Sequence, residues 1–530
     1  MLNLAKEIES LTKKLVSINS VDGNEKEIAD YIENYLRKLS YFKNNPNQVI
    51  NFECDKNRNS VIAYLKGKGK NTIILMGHID TVDIKDYGKA IKFATDTNKL
   101  PEKLKEYFSL SESVIADIKS NNYMFARGTL DMKAGVAAYL TVFKYFSEHI
   151  DELNGNLLLL CECDEEGDSK GIIKALDKLI EIKDKEDLEY VACLNGDYST
   201  SDDLNRNVYL GTVGKLLPCF VAIGKESHVG SPFDGFDPNL LLSIINKNIS
   251  LNPDFTDSDE DKASVPPICL KQTDNKDFYT VQTASSAILE INYLIYNSSP
   301  LKVMENCLKV AKESFNETIE LLNLRYKNYC KKNSSRYTKL PFKAKVFSYK
   351  EWKELLSSNP SFEKDIEAYG NKLLKDNPGM DIRDYSYELI LKSYEYYGIK
   401  EPVLIVFFGS SFYSSVKTDN EKLVEAINDA IKEVSKDSKY SIKTSNYYPY
   451  ISDMSFLSTP FNEKQISEMK KNCPFYVDYP FEKIKKINVP VVNIGTYGKD
   501  GHTYIERLEK DYSFNEMPNL VYLTVKEYFK

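Results

Sequence analysis

Histidine is scarce in this chain, and three of its four copies, His78, His228 and His502, stand beside glycines or at the ends of apolar runs. The fourth, His149, closes an amphipathic stretch and has no such setting. His78 follows the run Ile73–Met76 and Gly77, with Asp80 two residues on. That spacing has a chemical use. One ring nitrogen can bind a metal ion while the carboxylate takes the proton of the other, fixing tautomer and orientation. Further acids stand in Arg127-Gly-Thr-Leu-Asp-Met-Lys-Ala-Gly135, in Asp164-Glu-Glu-Gly167 and in Asn195-Gly-Asp197, and His502 stands in Gly501-His-Thr-Tyr-Ile-Glu506. Two imidazoles and three carboxylates are the nitrogen and oxygen set of a pair of divalent ions, zinc first, with manganese or cobalt as substitutes. Three carboxylates against two dications leave one positive charge, which a bridging hydroxide neutralises. Singly, each residue has a blander use: a histidine near a strand end is more often packed than ligating, and Asp131 could serve as a helix N-cap. Jointly, two histidines and three carboxylates gathered at one sheet edge favour a metal site.

The elements that would position these residues alternate. Helical periodicity covers about Leu2 to Leu39, with a break at Ser20-Val-Asp-Gly23. Strands are expected at Ser60–Leu65, Thr72–Met76, Asn156–Cys163, Tyr190–Leu194 and Val489–Ile494, with helices at Val136–Phe146, Ile172–Ile182 and Glu421–Val434. The span from Asp86 to Asn122 is polar and reads as an irregular surface excursion. Such alternation predicts an α/β protein with an open, mostly parallel sheet covered by helices on both faces, and functional groups at its carboxyl edge.

After Gly211 the texture changes to strands at Lys215–Ile223, Ser286–Tyr296 and Pro402–Phe408, with helices at Asp237–Ile249 and Lys302–Leu324. A Tyr- and Lys-rich stretch, about Tyr349 to Tyr397, has helical spacing around the only tryptophan, Trp352. We expect an inserted α+β domain of about residues 212–416, enlarged by that helical elaboration. The catalytic domain would then be about residues 1–211 with 417–530, because His502 must return to a site begun by His78.

Composition bounds the function. The 530 residues are 42% hydrophobic and 28% charged with a net charge of -8. That balance suits a globular protein with large cores and argues against nonspecific binding to nucleic acid or an anionic membrane. The longest apolar runs, such as Val403–Phe408, are too short to span a bilayer. Nine cysteines without a Cys-x-x-Cys pair, and an amphipathic start in place of a secretory segment, predict a cytoplasmic protein with reduced thiols. Cys161 and Cys163, alternating with polar residues in an expected strand, read as ordinary thiols.

Gly77-His-Ile-Asp-Thr-Val82, Gly128-Thr-Leu-Asp-Met-Lys-Ala-Gly135, Asp164-Glu-Glu-Gly167, Asn195-Gly-Asp197 and His502-Thr-Tyr-Ile-Glu506 resemble the co-catalytic zinc hydrolases that include aminoacylase, carboxypeptidase G, peptidase T and succinyl-diaminopimelate desuccinylase. Gly211-Thr-Val-Gly-Lys-Leu-Leu-Pro218 and Gly224-Lys-Glu-Ser-His-Val-Gly-Ser-Pro232 are similar to the RocB-type, arginine-utilisation branch. The resemblance implies a zinc-peptidase (phosphorylase/hydrolase-like) fold with a ferredoxin-like lid that can form a homodimer. Asp131 would bridge two metals, with His78 and Asp197 completing one site and Glu166 and His502 the other. Asp80 would orient His78, and Glu165 would be the general base for attack of a metal-bridging water on an amide bond. His228 would be the lid histidine that hydrogen-bonds the substrate oxygen. Substrates would be small peptides or N-acyl amino acids, with arginine or other amino-acid catabolism as the setting. The residues alone do not say which of Glu165 and Glu166 is the base. One departure stands out: relatives carry Gly-x-Arg-Pro, whose Arg holds the substrate carboxylate, where this chain has Gly409-Ser-Ser-Phe-Tyr413. A non-catalytic assembly protein that kept the fold is the alternative, and its mark would be a lost ligand or base.

Overall fold

The computed structural model describes every residue except 22, 200–203, 260, 261, 410, 411 and 476–478. Asp22 of the expected interhelical break, and Ser410 and Ser411 of the departed lid motif, therefore lie outside the described residues. The chain divides into two compact units: Met1–Val213 with Val416–Thr459 and Pro480–Lys530, and Gly214–Ser415 with Pro460–Tyr479. The second unit thus takes a further excursion, which the sequence reading leaves with the catalytic part.

The first unit is built on an eight-stranded sheet in the order Val49–Asp55, Arg58–Lys66, Asn156–Glu162, Asn71–His78, Glu189–Asn195, Val491–Asn493, Asn205–Tyr209 and Ser441–Ser445. Its centre is parallel: Asn71–His78 runs parallel to both neighbours, and Glu189–Asn195 runs parallel to Val491–Asn493. Pairings at the Val49–Asp55 edge are antiparallel. Parallel strands end on one edge, which brings the turns after His78, Glu162 and Asn195 together. Along the central strands, Ile73, Leu75, Leu157 and Leu159 join one core with helices Ala5–Val16, Ala134–Glu148 and Met517–Tyr528. Alternate residues point the other way, where Tyr190 donates its hydroxyl to the Leu179 carbonyl of helix Lys170–Glu186. Both faces are therefore buried, which is why Leu157–Cys161 reads as a continuous apolar run. Each fully buried Leu or Ile contributes roughly 1.5–3 kcal/mol, so this central run anchors the edge it carries.

Three expectations need correction. The span from Asp86 to Asn122 is not irregular: helices Leu100–Tyr107 and Glu112–Ser120 pack Leu100, Leu104 and Val114 with Val16, Tyr87 and Phe125 in a small core of their own. Its few apolar residues, spaced one per turn between lysines and glutamates, are enough to bury one face. The strands Val49–Asp55, Asn205–Tyr209 and Ser441–Ser445 escaped notice because two of them form the sheet edges, the third adjoins one, and all alternate weakly in burial. Strand Asn156–Glu162 stops one residue before Cys163.

The second unit has a sheet in the order Ile268–Asp274, Ser286–Ile295, Pro218–Ile223, Val403–Phe408 and Val346–Ser348, antiparallel except for the last pair. Helices Pro238–Ile249 and Pro300–Lys332 pack with it. The elaboration forms helices Tyr349–Leu356, Phe362–Asp376 and Ile382–Tyr394. Trp352, Leu356, Phe362 and Ile390 from these helices share a core with Cys219, Val221, Val403 and Ile405 of the sheet. Trp352 is fully buried and donates its indole N–H to Ser393 at 2.7 Å. The elaboration therefore covers sheet surface that would otherwise be apolar and open. Among the described residues, no helix is long and apolar enough to cross a membrane.

Candidate metal centre

His78 is the last residue of its strand, and Gly77 before it lets the strand approach Met132: a Cβ there would lie 2.6 Å from the Met132 methyl carbon. Asp131 sits in a tight turn ahead of helix Ala134–Glu148. It does not cap that helix, whose N-cap is Lys133. The N-cap reading is thereby replaced by a carboxylate turned to the site. Asp131 Oδ1 is 3.0 Å from His78 Nε2, and its Oδ2 is 2.8 Å from His502 Nε2. One carboxylate thus places one oxygen toward each histidine. Glu166 Oε1 lies 2.9 Å from the same His502 nitrogen. His78, Asp131 and Asp197 offer ligand atoms within 4.8 Å of one another, and so do Asp131, Glu166 and His502.

The far nitrogen of His78 faces Asp80, with Nδ1 3.2 Å from the Asp80 carbonyl and 3.5 Å from its carboxylate. The other carboxylate oxygen of Asp80 accepts the Glu166 backbone N–H at 2.9 Å. Asp80 thus ties the first strand end to the acidic loop. Asp197 is positioned by a helix start: a Cβ on Gly135 would collide with the Gly196 carbonyl, so only glycine permits this approach. The Tyr139 hydroxyl donates to the carbonyls of Asn195 and Ile494, at 2.8 and 3.0 Å, tying together the two strand ends that lead to Asp197 and His502.

Crowding so many acids in a buried place is costly unless cations answer them. Burial, then Asp131, pushes Asp197 up to about 7, and the same two influences raise Glu166. Burial also holds Glu165 well above the usual carboxylate range, reinforced by Asp453, Glu166 and Asp197 against the pull of His78. His502 is raised to about 11, by Asp131 and then Glu166. Burial opposes protonation of His78, yet hydrogen bonds to Asp131 and Asp80 raise it. For Asp131 burial works upward, but the two histidines win and hold it low. Such a donor set calls for positive charge. Its composition, a shared carboxylate between two imidazole and carboxylate pairs, fits two divalent cations.

The remaining predicted residue, His228, belongs to the second unit and is exposed. Its Nδ1 accepts the Gly230 N–H at 3.0 Å, leaving Nε2 as the proton-bearing nitrogen of the neutral ring. His149, read as bland, stacks on Tyr145 and is not part of the cluster.

Several contributors were missed. Glu506, fully buried, accepts the backbone N–H groups of Leu130 and Asp131 at 3.1 and 3.4 Å and pairs with Arg127 at 2.8 Å. Both residues stand inside the quoted motifs, but their backbone targets leave no mark in a sequence. Asp453 opens a short 3-10 helix capped by Ser452, and burial, followed by Asp80, drives its carboxyl well up. Glu162, at its strand end, is raised likewise by burial and Asp453. An acid within the apolar stretch Tyr450-Ile-Ser-Asp-Met-Ser-Phe-Leu457 was the available signal.

A family model described as "Peptidase family M20/M25/M40" matches residues 74–466. Protein RocB of Bacillus subtilis is 33% identical, covering 99% of this chain and 95% of its own. Among solved structures, aminopeptidase PepT from Bacillus cereus shares the fold with a TM-score of 0.53 at 14% identity, covering 99% of both chains. Bacillus subtilis YxeP, described as a dinuclear metal-binding peptidase, has a TM-score of 0.51 at 11% identity, over 99% of this chain and 98% of its own.

Proposed function

The chain belongs to peptidase family M20/M25/M40, and from that membership we propose that it is a metal-dependent hydrolase of an amide bond in a small peptide or N-acyl amino acid. The observation that carries the reading is the pair of distances from Asp131, 3.0 Å to His78 and 2.8 Å to His502. On this reading His78, Asp131 and Asp197 hold one divalent ion, and Asp131, Glu166 and His502 hold a second. Zinc suits the mixed imidazole and carboxylate donors, with manganese or cobalt as substitutes. Bound there, the metals supply Lewis acidity for a carbonyl oxygen and lower the pKa of water.

The protein's own groups do the rest. Glu165 takes the proton of the attacking water and returns it to the leaving nitrogen, and burial, which holds its carboxyl well above the usual carboxylate range, favours its holding that proton between the two steps. Asp80 holds His78 in one orientation. Arg127 and Glu506 fix the backbone at Asp131. His228 donates its Nε2 proton to the developing oxyanion. Similarity to RocB supports a place in arginine or other amino-acid catabolism, and a homodimer formed through the second unit is part of the same proposal. An assembly protein without catalysis would be expected to lack a ligand or the base, and all are present.

The test is turnover. Metal-loaded protein is assayed against dipeptides, tripeptides and N-acyl amino acids, including arginine derivatives, by release of free amine. Hydrolysis abolished by chelation supports the reading, and its absence across both classes with metal bound overturns it.

A further inference from the structure

Beside the acidic loop, and outside the metal ligands, two cysteines share one serine. Cys54 lies where the pairing of Val49–Asp55 with Arg58–Lys66 slips between Glu53 and Asp55. It is an extra residue at a bulge, free of the ladder on its own strand. Cys163 is the first residue after strand Asn156–Glu162 and directly precedes Asp164-Glu-Glu-Gly167. Ser60 stands between them. Its Oγ is 3.3 Å from Cys54 Sγ, donates to Cys163 Sγ at 3.3 Å, and accepts the Cys163 backbone N–H at 3.1 Å. Cys54 is half-buried and Cys163 fully buried. The pair therefore has one member within reach of a small solute and one behind it.

We propose that Cys54 and Cys163 form an oxidation site, in which a peroxide converts the two thiols into an intramolecular disulfide. The charge distribution agrees with the division of labour. A hydrogen bond with Cys163 is the main influence lowering Cys54, and the same bond, with burial, raises Cys163. Cys54 is thus the readier thiolate and Cys163 the retained thiol. The Cys54 thiolate attacks one oxygen of hydrogen peroxide, the O–O bond breaks, and hydroxide leaves to be protonated to water. The resulting sulfenic acid meets Cys163, the S–S bond forms, and its oxygen departs with the thiol proton as a second water. Two thiols lose two electrons, and one peroxide is reduced to two waters.

The bond would reach the acidic loop by a short path. The two thiols now meet through Ser60 Oγ, direct S–S bonding would replace that arrangement, and Cys163 shares its backbone with Asp164. That backbone is held on its other sides. Arg58 pairs with Asp164, the Ser169 N–H donates to the Asp164 carbonyl at 2.8 Å, and Gly171 packs against the Cys163 carbonyl. Displacement would pass along to Glu165 and Glu166. The disulfide is independent of the hydrolase reading; only its effect on turnover rests on that reading.

The experiment treats the full, zinc-loaded chain with graded hydrogen peroxide, blocks free thiols with iodoacetamide and maps peptides without reduction. The expected result is a crosslinked peptide joining Cys54 to Cys163, with a mass loss of about 2 Da, reversed by dithiothreitol and absent in Cys54→Ser. Turnover should fall several-fold with the crosslink and return on reduction, while Cys54→Ser keeps its turnover through the same treatment. The half-buried thiols Cys269 and Cys473 serve as internal controls. If they oxidise while the Cys54–Cys163 crosslink stays absent, or if Cys54 proceeds to sulfinic acid, the proposal is overturned. A crosslink in a protein without turnover would retain the site and remove only the hydrolase reading.

Discussion

Arg127 and Glu506 form a buried ion pair at 2.8 Å directly behind Asp131. The same Glu506 carboxylate accepts the N–H groups of Leu130 and Asp131, and Arg127 also grips Asp86 through two contacts at 3.0 Å. The pair sets the backbone from which the shared carboxylate projects. Residues of this kind change metal affinity without touching the metal, typically by 10–100-fold. We expect Glu506→Gln to keep the fold and weaken zinc binding by about that factor, read by competition with a chelating dye. Arg127→Ala leaves a buried acid unanswered and should cost about 3–5 kcal/mol in urea unfolding. Unchanged zinc affinity in Glu506→Gln would show that Asp131 does not depend on the pair.

Much of this arrangement was legible in the sequence, for a definite reason. Residues that need one chemical type at one strand end, such as His78, Asp131 and His502, leave type and spacing as a record. The parallel centre was equally readable, because strands buried on both faces are apolar through their middle, as Leu157–Cys161 is. Groups acting through backbone were not. Glu506 looks like any acid until its acceptors, the N–H groups of Leu130 and Asp131, are seen. Helices Leu100–Tyr107 and Glu112–Ser120 were hidden by a polar surface, since one apolar residue per turn suffices to bury them. The bulge at Cys54 depends on a register slip that no periodicity reports.

The metal-free protein should carry a distinct pH signature. Asp197 and Glu506 are raised to about 7 by burial, from ordinary values of 3.8 and 4.5. A raised folded pKa gives stability that is complete below the unfolded value and is lost as pH rises through the folded one. His502, raised to about 11, loses its share between about 6.5 and 11. Asp131, held low, has its full stabilising effect above its ordinary value of 3.8 and so adds no slope here. Thermal midpoints of chelated protein should therefore fall from pH 5 to pH 8, and zinc should offset the fall by binding the deprotonated site. Asp197→Asn should flatten the metal-free slope. An unchanged slope would remove Asp197 from this account.

The adjacent acids Glu165 and Glu166 can be told apart by content and rate. Glu166 reaches His502 at 2.9 Å, whereas Glu165 is absent from both ligand groups. Glu165→Gln should lower kcat by on the order of a hundredfold to ten-thousandfold with both metals retained by elemental analysis. Glu166→Gln and His502→Ala should each lose metal. Metal loss in Glu165→Gln with retention in Glu166→Gln would exchange the two roles.

His228 puts the second unit to the test. Its Nδ1 is engaged by Gly230, so the neutral ring presents an Nε2–H donor from an exposed turn. A donor that meets a developing oxyanion acts mainly on the chemical step. We expect His228→Ala to lower kcat by on the order of a hundredfold or more, with KM changed far less and metal occupancy unaltered. If the donor is supplied by a second copy of the chain, mixing inactive His228→Ala and Glu165→Gln subunits should restore part of the activity, since one mixed site would hold both intact residues. Failure of rescue, with subunit exchange demonstrated by labelled chains, would assign the donor to the same chain. A near-normal kcat in His228→Ala would remove the residue from the reaction in either arrangement.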